Sequence, residues 1–112
     1  MRILVIDDEL DTAQTVALLL RHEGHEVRYA VTAEAALDLM AQDEPELVIL
    51  DLGLPDMDGV ELARRLKRRR GAPRVIAITG RGPEAKAAAL EAGCDHFLRK
   101  PVDPGVLYPL IR

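Results

Sequence analysis

In Ile3-Leu4-Val5-Ile6-Asp7-Asp8, a short apolar run passes directly into acidic residues, and this pattern is the main guide to the fold of the chain. Short apolar runs bounded by polar or turn residues are typical of buried strands. Because the carboxyl ends of parallel strands meet at one edge of a sheet, polar residues that follow such strands are expected to share one site. Three further runs are followed by polar residues: Leu47-Val48-Ile49-Leu50 by Asp51, Val75-Ile76-Ala77-Ile78 by Thr79-Gly80, and Phe97-Leu98 by Arg99 and Lys100-Pro101.

Segments with helical periodicity lie between the apolar runs. Residues 10–22, for example, place Ala13, Val16, Ala17 and Leu20 on one face of a helix. Residues 25–30 form a weakly apolar strand, which is expected at an edge of the sheet. The predicted elements are strands at 2–6, 25–30, 46–50, 74–78 and 95–98, and helices at 10–22, 33–42, 58–70, from Pro83 to the closing Gly93, and after Asp103-Pro104.

The alternation of strands and helices, without repeats or linkers, predicts one α/β domain over residues 1–112. Its sheet is expected to be five-stranded and parallel, with helices on both faces. Right-handed crossovers leave few topologies, and we predict the doubly wound (βα)5, flavodoxin-like strand order 2-1-3-4-5. The switch point of this order lies between strands 1 and 3, where Asp7-Asp8 and Asp51 are placed.

Individual residues mark the ends of the predicted helices. Thr32 is expected to cap the helix at 33–42, and Asp58 with Glu61 resembles a capping box with Asp in place of Ser or Thr. Pro109 lies inside the last helix. Because proline lacks a backbone N–H, we expect it to kink this helix or to end it.

Composition excludes several classes of protein. The net charge of −4 argues against a nucleic-acid-binding domain, which is usually basic. Cys94 is the only cysteine, so an internal disulfide cannot form and a cytoplasmic chain is expected. The sequence contains neither a signal peptide nor an apolar stretch of membrane-spanning length. We therefore expect no membrane contact from this chain, which leaves open that it is the cytoplasmic part of a membrane-anchored parent.

Three carboxylates, a hydroxyl and an ammonium at one sheet edge suit the binding of a divalent cation together with a phosphoryl group. Crowded carboxylates repel one another, which raises the free-energy cost of ionising all of them. Mg²⁺ removes that cost because it is a hard cation that prefers carboxylate, carbonyl and water oxygens. The other reading of Asp7-Asp8 is a cap of the first helix, but a cap needs one acid and leaves Asp51 unexplained.

At these positions the chain resembles the receiver domain of response regulators in two-component His-to-Asp phosphorelay signalling. The resemblance covers residues 2–110. The residues around Asp51, with Gly53 and Pro55, are also similar to receivers attached to hybrid histidine kinases. Four pieces in the family's order carry the resemblance: Ile-Leu-Val-Ile-Asp-Asp-Glu (3–9), Val-Ile-Leu-Asp-Leu-Gly-Leu-Pro-Asp-Met-Asp-Gly (48–59), Ile-Thr-Gly (78–80) and Phe-Leu-Arg-Lys-Pro (97–101).

The resemblance implies the residues that accept the phosphoryl group and bind the metal. Asp51 is the acceptor, and the donor is a phosphohistidine on a histidine kinase or a histidine phosphotransfer protein; carboxylates are known to form aspartyl-phosphates. Asp8 and Asp51 are implied as direct Mg²⁺ ligands. Asp7 is implied as a ligand acting through water, and the carbonyl of Gly53 completes the set.

The resemblance also implies how the phosphoryl group is held. Lys100 supplies positive charge opposite the metal, and its peptide bond to Pro101 is usually cis in the family. Thr79 is expected to hydrogen-bond a phosphoryl oxygen. The backbone N–H groups of Leu52, Gly53 and Gly80 are expected to line the rest of the phosphate site.

Phe97 matches the family's switch aromatic, which lies three residues before Lys100. In that scheme Thr79 moves toward the phosphate and the ring turns inward. The fourth helix, fifth strand and fifth helix then present an altered face to an output domain or a downstream protein. The other reading of Phe97 is an ordinary core residue. Gly53 and Arg81 lie at positions that tune phosphate lifetime in the family.

Two other functional readings are weaker. A pseudo-receiver would act only as a protein-interaction module, and the complete set of Asp7-Asp8, Asp51, Thr79 and Lys100 argues against it. A small Mg²⁺-dependent phosphotransferase or phosphatase usually has a second acid two residues after its nucleophile, where this chain has Gly53. We therefore expect a chain that catalyses its own phosphorylation and dephosphorylation but is not a turnover enzyme.

Overall fold

Strands and helices alternate along the chain in the computed structural model, which describes residues 1–80 and 82–111. The strands are β1 (Arg2–Ile6), β2 (Glu26–Ala30), β3 (Leu47–Asp51), β4 (Arg74–Thr79) and β5 (His96–Arg99). The helices are α1 (Leu10–His22), α2 (Ala33–Gln42), α3 (Gly59–Arg68), α4 (Pro83–Glu91) and α5 (Pro104–Ile111). None of these helices is long and apolar enough to span a bilayer.

The sheet has the predicted doubly wound, flavodoxin-like topology. The strands found in the described residues are parallel and lie in the order β2-β1-β3-β4-β5. As its weak apolar character predicted, β2 lies at an edge. The register pairs Ile6 with Leu50 and Asp51 with Ile78, so the carboxyl ends of β1, β3 and β4 lie side by side.

Helices cover both faces of the sheet because the side chains of each strand alternate between two cores. In β3, Val48 and Leu50 belong to the core beneath α2, α3 and α4. Leu47 and Ile49 belong to the core beneath α1 and α5. All of β3 is buried, which is why its sequence reads as a continuous apolar run rather than an alternating one.

The predicted caps at Thr32 and Asp58 are confirmed, but the Glu61 half of the capping box is not: the Glu61 carboxylate pairs with Arg64 and Arg65 instead. The Thr32 side chain accepts the N–H of Ala35 at 3.1 Å, and the Asp58 side chain accepts the N–H of Val60 at 2.9 Å. The helix that Asp58 caps ends at Arg68, two residues earlier than predicted, because the chain becomes extended at the next residue.

Of the two expected effects of Pro109, termination of the last helix is excluded, because α5 continues to Ile111. Burial of Leu107 and Ile111 in the core holds the helix on both sides of the proline. The guanidinium of Arg74 in β4 also donates hydrogen bonds to the carbonyls of Leu110 and Ile111. These contacts stabilise the carboxyl end of α5, where the proline removes a backbone donor.

Candidate functional site

The predicted site residues meet at the carboxyl edge of the sheet. Asp51 ends β3, Asp7 and Asp8 follow β1, and Thr79 ends β4. Lys100 follows β5, and its backbone N–H donates to the carbonyl of Thr79 at 3.0 Å. Asp7, Asp51 and Thr79 are buried, with exposed fractions of 1%, 5% and 1%, whereas Asp8 is exposed. The site therefore has a buried floor and one side open to solvent.

Three carboxylates form a compact cluster at this edge. Asp7, Asp8 and Asp51 each contribute an oxygen, and these oxygens lie within 4.8 Å of one another. Among the described residues, this cluster of three aspartates is the one whose side chains are arranged to hold a metal ion. A set made only of oxygen donors suits a hard divalent cation such as Mg²⁺.

Lys100 is the cation that the chain itself supplies to this cluster. Its Nζ atom lies 3.0 Å from Oδ2 of Asp51 and 3.0 Å from Oδ2 of Asp7. It also lies 2.9 Å from Oε1 of Glu9. The Lys100–Pro101 peptide bond is cis, as the resemblance implied. Burial alone would lower the pKa of Lys100, but hydrogen bonds to the three carboxylates outweigh it and raise the pKa above its ordinary value.

The Asp7 and Asp8 carboxyls are harder to ionise than ordinary ones. Burial raises the pKa of Asp7 to about 6, although the backbone N–H of Glu9 and the ammonium of Lys100 act in the opposite direction. The pKa of Asp8 is also raised, first by desolvation and then by the neighbouring Asp51 carboxylate. A bound cation would favour the ionised form of both groups.

Asp51 differs from its two neighbours because its pKa is lowered. Burial acts to raise the pKa, but hydrogen bonds from the Gly53 N–H and from Lys100 outweigh it. The Gly53 N–H donates to Oδ1 at 3.0 Å, while Lys100 approaches Oδ2. Asp51 is therefore ionised at neutral pH, which is the state that a carboxylate nucleophile requires.

One carboxylate oxygen at the site is left without a hydrogen bond. Oδ2 of Asp7 is buried, and although Lys100 is at ion-pair distance, no group in the described residues hydrogen-bonds to it. Oδ1 of the same residue accepts the N–H of Glu9 at 2.9 Å. The Lys100 ammonium is therefore the one polar partner of this oxygen among the described residues, and a carboxylate oxygen can accept a second. A metal ion or a metal-bound water would satisfy this oxygen, so the residues present fit Mg²⁺.

The backbone amides near Asp51 are placed differently from one another. The N–H of Leu52 donates to the carbonyl of Ile78 at 3.2 Å, so a phosphate would have to compete with this carbonyl for it. The N–H of Gly53 already faces the Asp51 carboxylate. Gly80 is exposed, and a Cβ built there would meet nothing within 4 Å, so the space beside it is open. Arg81 lies outside the described residues.

Phe97 lies in β5 opposite Ala77 and is half-buried. Its ring packs against the core beneath α2, α3 and α4. This position is compatible with either reading of Phe97, so movement of the ring stays a prediction. Thr79, two residues along β4 from Ala77, is buried at the same edge as Asp51.

Two residues with contacts near the site, Glu9 and Asp56, carry no signal in the sequence pattern. Glu9 is the third partner of Lys100, although its side chain is largely exposed. Asp56 accepts backbone N–H groups from Ala33 and Glu34, which lie in a different element. Acidic residues are common on surfaces, so only the tertiary structure distinguishes these two from solvated ones.

A groove of about 520 Å³ opens beside the acidic cluster. One wall is α1, through Thr12, Thr15 and Leu19, and the other is the segment that begins with Lys100 and Pro101. The groove therefore leads from the surface of α1 to the lysine that contacts Asp51.

Known proteins resemble this chain over nearly its full length. The family model for the response regulator receiver domain matches residues 3–112. The KDP operon transcriptional regulatory protein KdpE of Escherichia coli (strain K12) is 39% identical over 111 residues, which are 98% of this chain and 49% of KdpE. The chain thus spans about half the length of that relative. A 14.6 kDa protein of Leptolyngbya boryana is 36% identical over 115 residues, covering 100% of this chain and 88% of that protein.

Solved structures share both the fold and part of the sequence. The crystal structure of a CheY-like response regulator receiver domain protein from Methanospirillum hungatei JF-1 superposes with a TM-score of 0.90 and 34% identity. The match covers 98% of this chain and 89% of that one.

Proposed function

Because this chain belongs to the response-regulator receiver family, we propose that it is a phosphorylation-dependent signalling switch whose phosphoryl acceptor is Asp51. The observation that carries this proposal is the approach of Lys100 Nζ to within 3.0 Å of Asp51, at the edge of a three-carboxylate cluster. The Asp51 carboxylate is kept ionised beside the fixed ammonium of Lys100, and the cluster has room for a second cation. This arrangement suits acceptance of a phosphoryl group.

The transfer proposed here is a displacement at phosphorus. A carboxylate oxygen of Asp51 attacks the phosphorus of a phosphohistidine, and a new O–P bond forms. The N–P bond breaks, and its electron pair returns to the imidazole nitrogen of the donor. Dephosphorylation is attack by water on the same phosphorus, which releases inorganic phosphate and restores the carboxylate.

Mg²⁺ would supply positive charge to the phosphoryl group when bound. We propose that Asp8 and Asp51 hold it directly, that Asp7 holds it through water, and that the carbonyl of Gly53 completes the protein's share. Oδ2 of Asp7, which is buried and has only the Lys100 ion pair, and the open side at Asp8 support this assignment.

The residues around the acceptor would hold the phosphoryl group and transmit its arrival. Lys100 neutralises charge on the phosphoryl oxygens, and Thr79 donates a hydrogen bond to one of them. Gly80 is exposed with open space beside it, and its N–H would contribute a further donor. Movement of Phe97 would then alter the surface formed by α4, β5 and α5.

The partners we propose follow from this chemistry. The donor is a histidine kinase or a histidine phosphotransfer protein, and the groove between α1 and Pro101 offers it a surface beside the acceptor. The altered surface would be read by an output domain or a downstream protein. We propose no direct contact of this chain with nucleic acid or a membrane, and a cytoplasmic location, which suits its single cysteine.

Receiver domains are signalling switches rather than turnover enzymes, and Gly53 occupies the position where related aspartyl-phosphate enzymes usually have a second acid. We therefore propose that catalysis is limited to the chain's own phosphorylation and dephosphorylation. The alternative, a pseudo-receiver that only binds proteins, is disfavoured by the ionised Asp51 beside Lys100.

The test is the intact mass of the chain after incubation with acetyl phosphate and Mg²⁺. We expect one added phosphoryl group in the parent chain, and none when EDTA replaces Mg²⁺. If no adduct forms, binding of beryllofluoride in the presence of Mg²⁺ is measured next. Binding would show that the phosphate on the chain is short-lived, and no binding would indicate a pseudo-receiver.

A further inference from the structure

Asp56 attaches the loop after the acceptor to a different helix. The loop consists of residues 52–58, between β3 and α3. Oδ1 of Asp56 accepts the N–H of Ala33 at 2.9 Å, and Oδ2 accepts the N–H of Glu34 at 3.0 Å. Ala33 and Glu34 are the first two residues of α2. A single carboxylate therefore joins two segments that are more than 20 residues apart in the sequence.

The amides that Asp56 binds are among those that a helix leaves without partners at its amino end. The Thr32 side chain accepts the next amide, that of Ala35, at 3.1 Å. The carboxylate also lies at the positive end of the helix dipole. The Ala33 and Glu34 amides hold the pKa of Asp56 below its ordinary value, so the contact is charge-assisted at neutral pH.

The two ends of the loop are fixed by contacts of their own. At its start, the Gly53 N–H donates to Oδ1 of Asp51 at 3.0 Å. At its end, Asp58 caps α3, and the Gly59 N–H donates to the carbonyl of Leu52 at 3.3 Å. The bond from Asp56 to α2 fixes the middle of the loop to an element outside it.

The start of α2 is itself connected to the acidic cluster. The backbone N–H of Asp7 donates to the carbonyl of Ala30, the last residue of β2, at 3.0 Å. From Ala30 the chain enters α2 within three residues. Hydrogen bonds, joined by two short stretches of backbone at 30–33 and 53–56, therefore connect Asp7 through the start of α2 and Asp56 to Gly53 and Asp51.

From this arrangement we infer that Asp56 is a positioning residue for the acceptor site. By holding the loop against α2, it fixes Gly53, whose N–H orients Asp51 and whose carbonyl is a proposed Mg²⁺ ligand. The inference rests on the proposed function for its consequence, because Mg²⁺ affinity and acceptance of phosphate both depend on the position of Gly53. Groups that orient metal ligands from outside typically change metal affinity about 10–100-fold when they are removed.

Asp56→Ala tests this role, with Thr32→Ala as the matched control. Each variant removes a cap from the amino end of α2, but only Asp56→Ala also releases the loop. The Kd for Mg²⁺ is measured by calorimetry on the full chain, well below its unfolding temperature. We expect Asp56→Ala to raise this Kd about tenfold, Asp56→Asn to raise it less, and Thr32→Ala to leave it within about twofold.

A second readout is the amide resonance of Gly53 in the metal-free chain, which should shift in Asp56→Ala and not in Thr32→Ala. Equal effects of the two variants on both the Kd and this resonance would overturn the positioning role and leave the proposed function intact. A parent chain that fails to bind Mg²⁺ would contradict the proposed function and the positioning role together.

Discussion

Lys100 dominates the electrostatics of the site at the scale of single residues. Its ammonium lies within 3.0 Å of carboxylate oxygens from Asp7, Glu9 and Asp51. Its side chain is only 18% exposed, so water screens these interactions less than it would at a surface. The same cation that stabilises the ionised Asp51 also competes with a metal for the cluster. Removal of the lysine should therefore have opposite effects on metal binding and on phosphorylation.

We expect Lys100→Ala to bind Mg²⁺ more tightly than the parent chain, because the uncompensated carboxylates attract a cation more strongly. Phosphorylation by acetyl phosphate should slow by about 100-fold, because a charge that stabilises the transferring phosphoryl group is lost. The two quantities are measured by calorimetry and by the rate of adduct formation in intact mass.

Lys86→Ala is the control for this experiment, because Lys86 is exposed on α4 and outside the site. Both quantities should match those of the parent chain in this variant. If Lys100→Ala weakened Mg²⁺ binding instead, Lys100 would be organising the cluster rather than competing for it.

Asp7 should make the stability of the metal-free chain depend on pH. Its pKa is about 6 in the folded chain against 3.8 for the ordinary group, so the folded state holds this proton more tightly. The resulting stabilisation is full below the unfolded pKa and is lost as pH rises through about 6. The pKa values of Asp51, Asp56 and Asp95 are lowered in the folded chain. Their contributions to stability are therefore lost only as pH falls below the ordinary pKa of an aspartate.

In EDTA, we therefore expect the free energy of unfolding in urea to fall between about pH 4 and about pH 6.5. Mg²⁺ should restore stability at the higher pH, because the cation binds the ionised cluster. Asp7→Asn should lose the part of this fall that is due to Asp7, since the amide does not titrate, and keep the part due to Asp8, whose pKa is also raised. A decrease of equal size in Asp7→Asn would mean that another group is responsible.

At the scale of elements, α3 begins where the backbone passes very close to the acceptor strand. A Cβ built on Gly59 would lie 2.6 Å from the carbonyl oxygen of Leu52 and closer still to its Cα. The atoms in the way are backbone, which cannot move aside as a flexible side chain does. The absence of a side chain at Gly59 thus allows α3 to start directly against the residue after Asp51.

Gly59→Ala should lower the free energy of unfolding by about 1–3 kcal/mol, because the extra methyl forces backbone to shift. The higher helix propensity of alanine, about 1 kcal/mol, is included in this net figure. Gly80→Ala is the control, because its Cβ would meet nothing within 4 Å and its effect should stay within about 0.5 kcal/mol. Urea unfolding of both variants measures the two effects. Equal midpoints for Gly59→Ala and Gly80→Ala would contradict the close approach of Gly59 to the backbone of Leu52.

The sequence predicted contacts within elements better than contacts between them. Thr32 and Asp58 were identified as caps because each binds an amide two or three residues ahead, which is a local pattern. Asp56 caps a helix that precedes it by more than 20 residues, and no local pattern reveals that partner. Pro109 has the local signature of a helix end, but α5 continues because Leu107 and Ile111, two residues to either side, are buried.

At the scale of the whole molecule, β3 supports both cores and carries the proposed acceptor at its end. Ile49 and Leu50 are fully buried and belong to opposite cores. Replacement of either by alanine should lower the free energy of unfolding by about 2–5 kcal/mol. Leu18→Ala, at a residue that is 67% exposed on α1, should change it by less than about 0.5 kcal/mol. If one of the two β3 variants lost little of its free energy of unfolding, the helices would cover that residue's face of the sheet poorly.

The topology explains why most of the site could be predicted from distant pieces of sequence. Asp7, Asp51 and Thr79 follow or end apolar strands, so a parallel sheet brings them together whatever the helices between them contain. Glu9 was missed because its contact with Lys100 depends on how α1 begins, and strand ends alone do not determine that. The engagement of the Leu52 amide by Ile78 depends in the same way on the detailed path of the loop.

Locating the phosphoryl group in the phosphorylated chain tests whether Asp51 is the acceptor. Borohydride reduces an aspartyl-phosphate to homoserine, so peptide mass spectrometry after reduction identifies the acceptor. After incubation with acetyl phosphate and Mg²⁺, we expect homoserine at position 51, and none in the Asp51→Asn variant. Homoserine at Asp7 or Asp8 instead, or a phosphoryl group that persists in Asp51→Asn, would contradict the assignment of Asp51 as the acceptor.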